Sequence, residues 1–416
     1  MKDLISSNDY VISDVSARND KVVKISSSSS FIKWFFDVKP FGRKIGFYGE
    51  SQIIEKVKCI YDFLTYYFEV KKKCEKQMDL YNKLISDEEN RFVKEAMEQF
   101  SFSNSGGKFI RAFLVSLGYN LSGFLDDCWV FLALALEIFQ TSILIHDDII
   151  DNADKRRGVE TIPLRYQKLY SDSLLDRDEF EKKRGDVSKS MALCIGDAGL
   201  YLSSQMIVKH YASNKNLARV LEYYNEIALK TCKGEMIDVI LPFYTEYYGE
   251  TDDLEKNIME IYKLKTGWYS VVGPLALGCI LSGMPSDKVC MIEDAVINLG
   301  VSFQIKDDLL GVYGDEKKLG KSVCSDAEEF KQTILYSYAS STKYRDELLS
   351  MYGKKISDIS SIRSIFDKSG AHDYANKTMD RLFKESMDAI LDLDFIDIKF
   401  KRILLGFAEY LKVRDK

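Results

Sequence analysis

Prolines are few, five in 416 residues, beside 24 glycines. So little punctuation argues against a loop-rich β architecture and leaves helix as the default reading. Histidines number only three, too few for a His-based metal centre. The eight cysteines fall singly, with no CxxC pair or regular framework. That excludes an obvious zinc site and suits reduced thiols in a cytoplasmic protein. The formal charge is a mild −6, and the basic residues form no long stripe, so nucleic acid is not an expected partner. No run of about 18 uncharged apolar residues occurs, so no transmembrane segment is expected. The opening MKDLISSNDYVISD lacks the apolar stretch of a secretory signal.

Hydrophobic residues, by contrast, make up 46% of the chain, enough for a sizeable core. Residues 1–50 stand apart as an N-terminal extension, with a serine run from Ser26 to Ser30 and then the aromatic, basic stretch FIKWFFDVKPFGRKIGFY. Its aromatics are expected to pack on the main body or on a partner subunit. From residue 51 to 416 the pattern is that of one all-α domain, a helical bundle around a central cavity. Ile53, Val57, Ile60, Phe63 and Leu64 recur at three- and four-residue spacing, and the pattern resumes from Leu80 to Phe100. WVFLALALEIFQTSILIHDDII is apolar nearly all round, as a helix at the centre of a bundle would be. Asp126 and Asp127 stand where its N-cap is expected. The charge-dense residues 165–186 read as a connecting loop with a short helix.

Two acidic clusters end two apolar helices. In the first, Asp147 and Asp151 share a helical face one turn apart, with Asp148 beside them. Carboxylates crowded at the end of an apolar helix repel one another unless a cation sits among them. Hard oxygen ligands with room for water and phosphate suit Mg²⁺. The second cluster, in VSFQIKDDLLGVYGD, puts Gln304, Asp307, Asp308 and Gly311 on one face. Two such clusters about 160 residues apart are expected to face each other across a cavity and clamp a diphosphate through metal ions. Positive groups lie nearby: Lys108 and Arg111 at a helix start after Gly106 and Gly107, and Arg156-Arg157 after the first cluster. The Lys108–Arg111 pair fits a second diphosphate held without metal. His146 reads as a packed helix residue rather than a base.

From about residue 66 onward, the ordered motifs resemble those of the trans-isoprenyl diphosphate synthases. GGKFIRA is similar to that family's GGKRxRP, DDIID to its first aspartate-rich motif, and Arg156-Arg157 to the RRG that follows. Lys265-Thr266, Phe303-Gln304, Asp307-Asp308 and Gly320-Lys321 resemble its KT, FQ, second acidic motif and GK. The resemblance implies an all-α fold and a Mg²⁺-dependent homodimeric prenyltransferase that adds isopentenyl diphosphate to an allylic diphosphate. It implies Mg²⁺ at Asp147, Asp148, Asp151, Asp307 and Asp308. The allylic diphosphate falls to Arg156, Lys265 and Lys321, and isopentenyl diphosphate to Lys108, Arg111, Gln140 and Arg157. Thr266 and Gln304 are implied to face the carbocation. Chain length is implied to depend on Ser142 and Ile143, which are not aromatic here, and on Phe139 and Leu136 one turn further down. A product of geranylgeranyl length or somewhat longer follows. Phe109, Ala112 and Gly311 depart from the family pattern, and Asp315 reads more readily as a plain helix C-cap than as an outer-shell substitute for the carboxylate missing at Gly311. Two competing readings remain, a class I terpene synthase and a non-catalytic subunit of a hetero-oligomeric synthase. The first usually carries a different second motif, and the second usually loses its metal carboxylates.

Overall fold

The computed structural model describes residues 50–156, 158–169, 178–248, 253–314, 323, 325–354, 356 and 359–413. Residues 1–49, Arg157, Asp315, Gly320 and Lys321 lie outside them. The described chain is an all-helical bundle. It opens with α1 (Glu50–Ile85), α2 (Arg91–Asn104), α3 (Ile110–Asn120) and α4 (Val130–Ile150). After a β-hairpin come α5 (Ile162–Leu169), α6 (Asp178–Tyr211), α7 (Leu217–Tyr248) and α8 (Leu254–Ile261). A π-helical stretch, Tyr262–Val272, continues directly into α9 (Gly273–Leu281). The remainder is α10 (Ser286–Tyr313), α11 (Ser325–Glu328), α12 (Ile334–Ser340), α13 (Arg345–Met351), α14 (Ile359–Ser369), α15 (Ala371–Asp392) and α16 (Ile398–Val413).

The scarce prolines sit mostly where helices begin. Pro274 lies at the start of α9, and Pro285 is the N-cap of α10. Both places tolerate a residue with no N–H to donate. Asn90 separates α1 from α2, its side chain accepting from the N–H groups of Phe92 and Val93.

The apolar helix around the first acidic cluster is central, as its composition requires. From Leu132 to Phe139 every side chain of α4 is buried, and α4 packs along α6. Its start differs from the sequence expectation, because the N-cap is Trp129 and no side chain caps it. Asp126 instead accepts hydrogen bonds from Cys128 N and the Tyr119 hydroxyl, while Asp127 pairs with Lys73. The charged segment 165–186 also differs: α6 already begins at Asp178.

Three helical segments, Val130–Ile150, Lys183–Tyr211 and Leu254–Leu281, are long and apolar enough to cross a membrane by length and composition. Charged residues interrupt each of them in the sequence. Burial within the bundle covers 61% and 83% of the first and third windows, so packing accounts for most of their apolar surface. The middle one is 39% buried.

Two glycine contacts bring site-bearing elements together. A Cβ on Gly300 of α10 would lie 2.5 Å from the Cα of Gly267, so α10 and the π-helical stretch meet backbone to backbone. A Cβ on Gly278 of α9 would lie 2.1 Å from Val115 O, which seats α3 against α9 in the same way.

Candidate active site

Asp147 and Asp148 end α4, and Asp151 follows as its C-cap. Next, Lys155-Arg156 and Val159-Glu160 form a two-residue antiparallel hairpin, Lys155 opposite Glu160 and Arg156 opposite Val159. Helical periodicity gave no sign of this hairpin. It folds Arg156 back so that Nη2 meets Asp147 Oδ2 at 2.7 Å and Nε meets Asp148 Oδ1 at 2.5 Å.

A second cation reaches the cluster from the π-helical stretch. Lys265 Nζ lies 3.5 Å from Asp147 Oδ1 and 2.7 Å from both Glu235 Oε2 and Asp238 Oδ2. Burial opposes the lysine charge, yet Asp238, Asp147 and Glu235 outweigh it and raise its pKa. A third cation comes from the loop before α12, where Lys331 Nζ pairs with Asp151 Oδ2 at 2.8 Å and Glu329 Oε2 at 3.2 Å. It is likewise raised, burial being overcome by Asp151, Asp326, Asp147 and Glu329.

The second cluster is built differently. Gln304, Asp307, Asp308 and Gly311 all line one cavity of about 300 Å³, with Lys265, Thr266, Asp326 and Lys331. The shared face expected from the sequence is therefore present. Asp308 is held by neutral donors: Tyr262 donates its hydroxyl to Oδ2, and Gln304 Nε2 donates to Oδ1 at 2.9 Å. Gln304 Oε1 in turn accepts from Thr266 Oγ1 at 2.6 Å. The Tyr262 hydroxyl accepts from Ile334 N at 2.8 Å, which joins α12 to the site.

Electrostatics separate the two clusters. Burial pushes Asp147 up, but Lys265, Arg156 and Lys331 prevail and hold it below the usual carboxylate range. Asp148 pairs with Arg156, but burial outweighs that contact and its pKa rises to about 6. Among the described residues Asp308 has no ion-pair partner, and burial with the nearby Asp326 pushes it up to about 8. A buried carboxyl without a counter-charge would gain most from an arriving cation. The donor set is thus all hard oxygen, which fits Mg²⁺. Among the described residues no three such groups already converge as a ligand set. The three cations instead stand among the carboxylates.

Sequence reasoning missed Tyr262, Asp238, Glu235, Asp326 and Lys331. Asp326 fills the place left by Gly311: a Cβ on Gly311 would lie 3.0 Å from Asp326 Oδ2. Asp315, the substitute considered from sequence, lies outside the described residues. No short-range spacing marks Asp326, since it reaches the cavity from another helix.

The Lys108–Arg111 region forms a separate neighbourhood. Phe109, with φ of 54°, is the N-cap of α3, so Lys108 lies in the turn before the helix and Arg111 in its first turn. The helix start expected at these two residues therefore includes Arg111 but not Lys108. Buried Glu137 of α4 accepts from Ala112 N at 3.1 Å, fixing that helix end. Arg111 donates from Nη2 to Ser270 Oγ at 2.7 Å and stacks 3.9 Å over the Tyr269 ring. Its buried Nε finds no partner among the described residues. Gln140 is half-buried on α4. Phe139 is buried edge-on against Tyr224 and Tyr269, its ring centroid 5.6 Å from each. Ser142 is buried, donating to Ile138 O, and Ile143 is half-buried against the core. His146 lies 3.3 Å from Asp197 on α6. Arg157 and Lys321, both assigned to diphosphate from sequence, lie outside the described residues.

The chain is similar to several known proteins. A geranylfarnesyl diphosphate synthase of Aeropyrum pernix is 28% identical over 320 residues, covering 75% of this chain and 92% of the relative. A short chain isoprenyl diphosphate synthase of Methanocaldococcus jannaschii is 30% identical over 256 residues, 60% of this chain and 68% of the relative. A crystal structure of geranylgeranyl pyrophosphate synthase from Corynebacterium glutamicum, complexed with isoprenyl diphosphate and magnesium, superposes with a TM-score of 0.72. At 24% identity it covers 84% of this chain and 98% of its own, and carries the fold alone. The polyprenyl synthetase family pattern matches residues 91–369, and the chain belongs to that family.

Proposed function

We propose that this prenyltransferase extends an allylic diphosphate by head-to-tail addition of isopentenyl diphosphate, giving all-trans products of geranylgeranyl length or somewhat longer. One observation carries the reading: Lys265 and Lys331 line the cavity of the second acidic cluster while ion-pairing with Asp147 and Asp151 of the first. Two carboxylate sets and the cations between them suit one diphosphate.

In this reading Asp147, Asp148, Asp151, Asp307 and Asp308, joined by Asp326, would hold Mg²⁺. When bound, Mg²⁺ supplies positive charge that stabilises the departing diphosphate. Lys265, Arg156 and Lys331 receive that diphosphate, with Lys321 assigned to the same role by its motif. Lys108, Arg111, Gln140 and Arg157 hold isopentenyl diphosphate. The allylic carbon–oxygen bond breaks, and its electron pair leaves on the diphosphate oxygen. The isopentenyl double bond then forms the new carbon–carbon bond. The resulting cation loses a proton to the released diphosphate, and a new double bond forms. Thr266 and Gln304, already hydrogen-bonded to each other, present neutral oxygen and amide groups to that cation. Ser142, Ile143 and Phe139 border the growing chain.

We place the synthase body at residues 51–416, with residues 1–50 an extension. The singly scattered cysteines support a cytoplasmic location. A homodimer is supported by an exposed apolar face. Val187, Tyr201 and Val208 of α6 lie at multiples of seven, and Leu229, Met236, Ile240 and Phe243 follow on α7. Sedimentation of the purified chain tests it, a monomer at micromolar concentration opposing it.

The activity is tested by incubating purified chain with Mg²⁺, labelled isopentenyl diphosphate and each allylic primer, then sizing the extracted alcohols. Label retained in longer linear products supports elongation. Unlabelled cyclic hydrocarbons would point to a terpene synthase on the same fold. No turnover by the chain alone would favour a non-catalytic subunit.

A further inference from the structure

Below Asp147, α4 runs beside α6, and the seam between them carries small residues. Ser142 is wholly buried there. Opposite it, a Cβ on Gly199 of α6 would lie 2.1 Å from Ser142 Oγ and 2.5 Å from two ring carbons of Phe100. Residues from α2, α4 and α6 therefore meet at one point, about 7.5 Å along the helix from Asp147 at the usual rise per residue. Two of them are among the smallest side chains available. The third, Phe100, has no exposed surface and is one of the largest fully buried groups in the protein.

This juxtaposition fills the space beside Gly199 with a ring from a third helix. The family resemblance puts Ser142 where a bulky ring on α4 would end chain growth early, and Gly199 removes any side chain from the facing helix. The Phe100 ring supplies the missing bulk from a third helix. Phe139 lies on another side of α4, packed against Tyr224 of α7 and Tyr269 of the π-helical stretch, and does not fill the seam.

We propose that Phe100 is a product-length-determining residue, its ring blocking the Ser142–Gly199 seam between α4 and α6. The assignment rests on the elongation reading, since only a growing prenyl chain would meet that ring. A packed aromatic ring flanked by helices resists displacement, so the chain stops where contact begins.

The test compares full-length parent protein with Phe100→Leu and Phe100→Ala, using Mg²⁺, labelled isopentenyl diphosphate and farnesyl diphosphate. Extracted prenyl alcohols are sized by chromatography, and folding is followed by circular dichroism and thermal melting. The longest product should advance by at least one isoprene unit in Phe100→Leu and further in Phe100→Ala. The first condensation should stay within about threefold of the parent, because the diphosphate clamp is untouched. Leucine keeps most of the buried apolar volume, so Phe100→Leu carries the test if the alanine variant does not fold. Parent and folded Phe100→Leu chains giving the same longest product would overturn the assignment and leave elongation standing. A parent that incorporates no label would overturn the elongation reading itself.

Discussion

Lys331 and Asp151, 180 residues apart in sequence, meet at 2.8 Å and tie the loop before α12 to the end of α4. Lys331 also lines the cavity of the second acidic cluster. Replacing it with alanine leaves Asp151 without this partner and, in the proposed reading, removes a contact for diphosphate. A charge-assisted hydrogen bond is worth roughly 1.5–3 kcal/mol. Steady-state kinetics of Lys331→Ala should therefore show kcat/KM for the allylic substrate reduced by about 10- to 100-fold, with partial recovery in Lys331→Arg. Unchanged kinetics would remove Lys331 from the diphosphate site.

Asp147 and Asp308 should respond oppositely to neutralisation. Asp147 is held down by cations, so Asp147→Asn takes one carboxylate from Arg156, which keeps Asp148, and one from Lys265, which keeps Glu235 and Asp238, and should destabilise the metal-free protein by about 1–3 kcal/mol, less than breaking a lone buried pair would cost. Asp308 is buried among neutral donors with its pKa near 8, and Asp308→Asn should leave the protein equal or more stable above that pH. The sign follows from linkage. The folded-state pKa exceeds the ordinary value, so the folded state holds an extra proton between about pH 4 and 8. That contribution is present at low pH and fades as pH rises through about 8, each retained pKa unit being worth about 1.4 kcal/mol. Denaturant titrations at pH 5 and 8.5 check it. Relative to Asp308→Asn, the parent should lose stability with rising pH, and a difference independent of pH would refute the account.

Much of this site was legible in the sequence because its carboxylates follow helical spacing. Asp147 and Asp151 end one buried apolar helix, and Asp307 and Asp308 share a face with Gln304 and Gly311 on another. Period and apolar content reveal such an arrangement. How other charged groups reach the clusters was less legible. Arg156 depends on a two-residue hairpin, Lys331 on a loop, and Asp326 on a four-residue helix. Each arrives by tertiary packing, which leaves no local period. The N-cap assigned to Asp126 and Asp127 failed because Tyr119 and Lys73 compete for those carboxylates.

Arg111 acts through its planar guanidinium, stacked on Tyr269 and bonded to Ser270. Arg111→Ala should raise KM for isopentenyl diphosphate by about 10-fold or more while the allylic KM changes little. Arg111→Lys should recover little, since an ammonium group cannot reproduce stacking and forked donation together. A shift confined to the allylic KM would reverse the assignment of the two sites.

Asp326 stands where the second motif lacks its last carboxylate. Asp326→Asn should weaken binding of Mn²⁺, used as a paramagnetic stand-in for Mg²⁺, by about 10-fold in the presence of diphosphate. Electron paramagnetic resonance titration reads this without turnover. Equal Mn²⁺ affinity in parent and variant would confine Asp326 to a structural role.

Whether both acidic clusters serve one diphosphate is read from the rate of labelled isopentenyl incorporation in Asp147→Ala and Asp308→Ala, measured beside their far-ultraviolet circular dichroism. Both variants should keep the helical signal of the parent and lose turnover by at least about 1000-fold, because each removes an oxygen that steadies the departing diphosphate. A folded variant of either kind with near-parental turnover would contradict the claim.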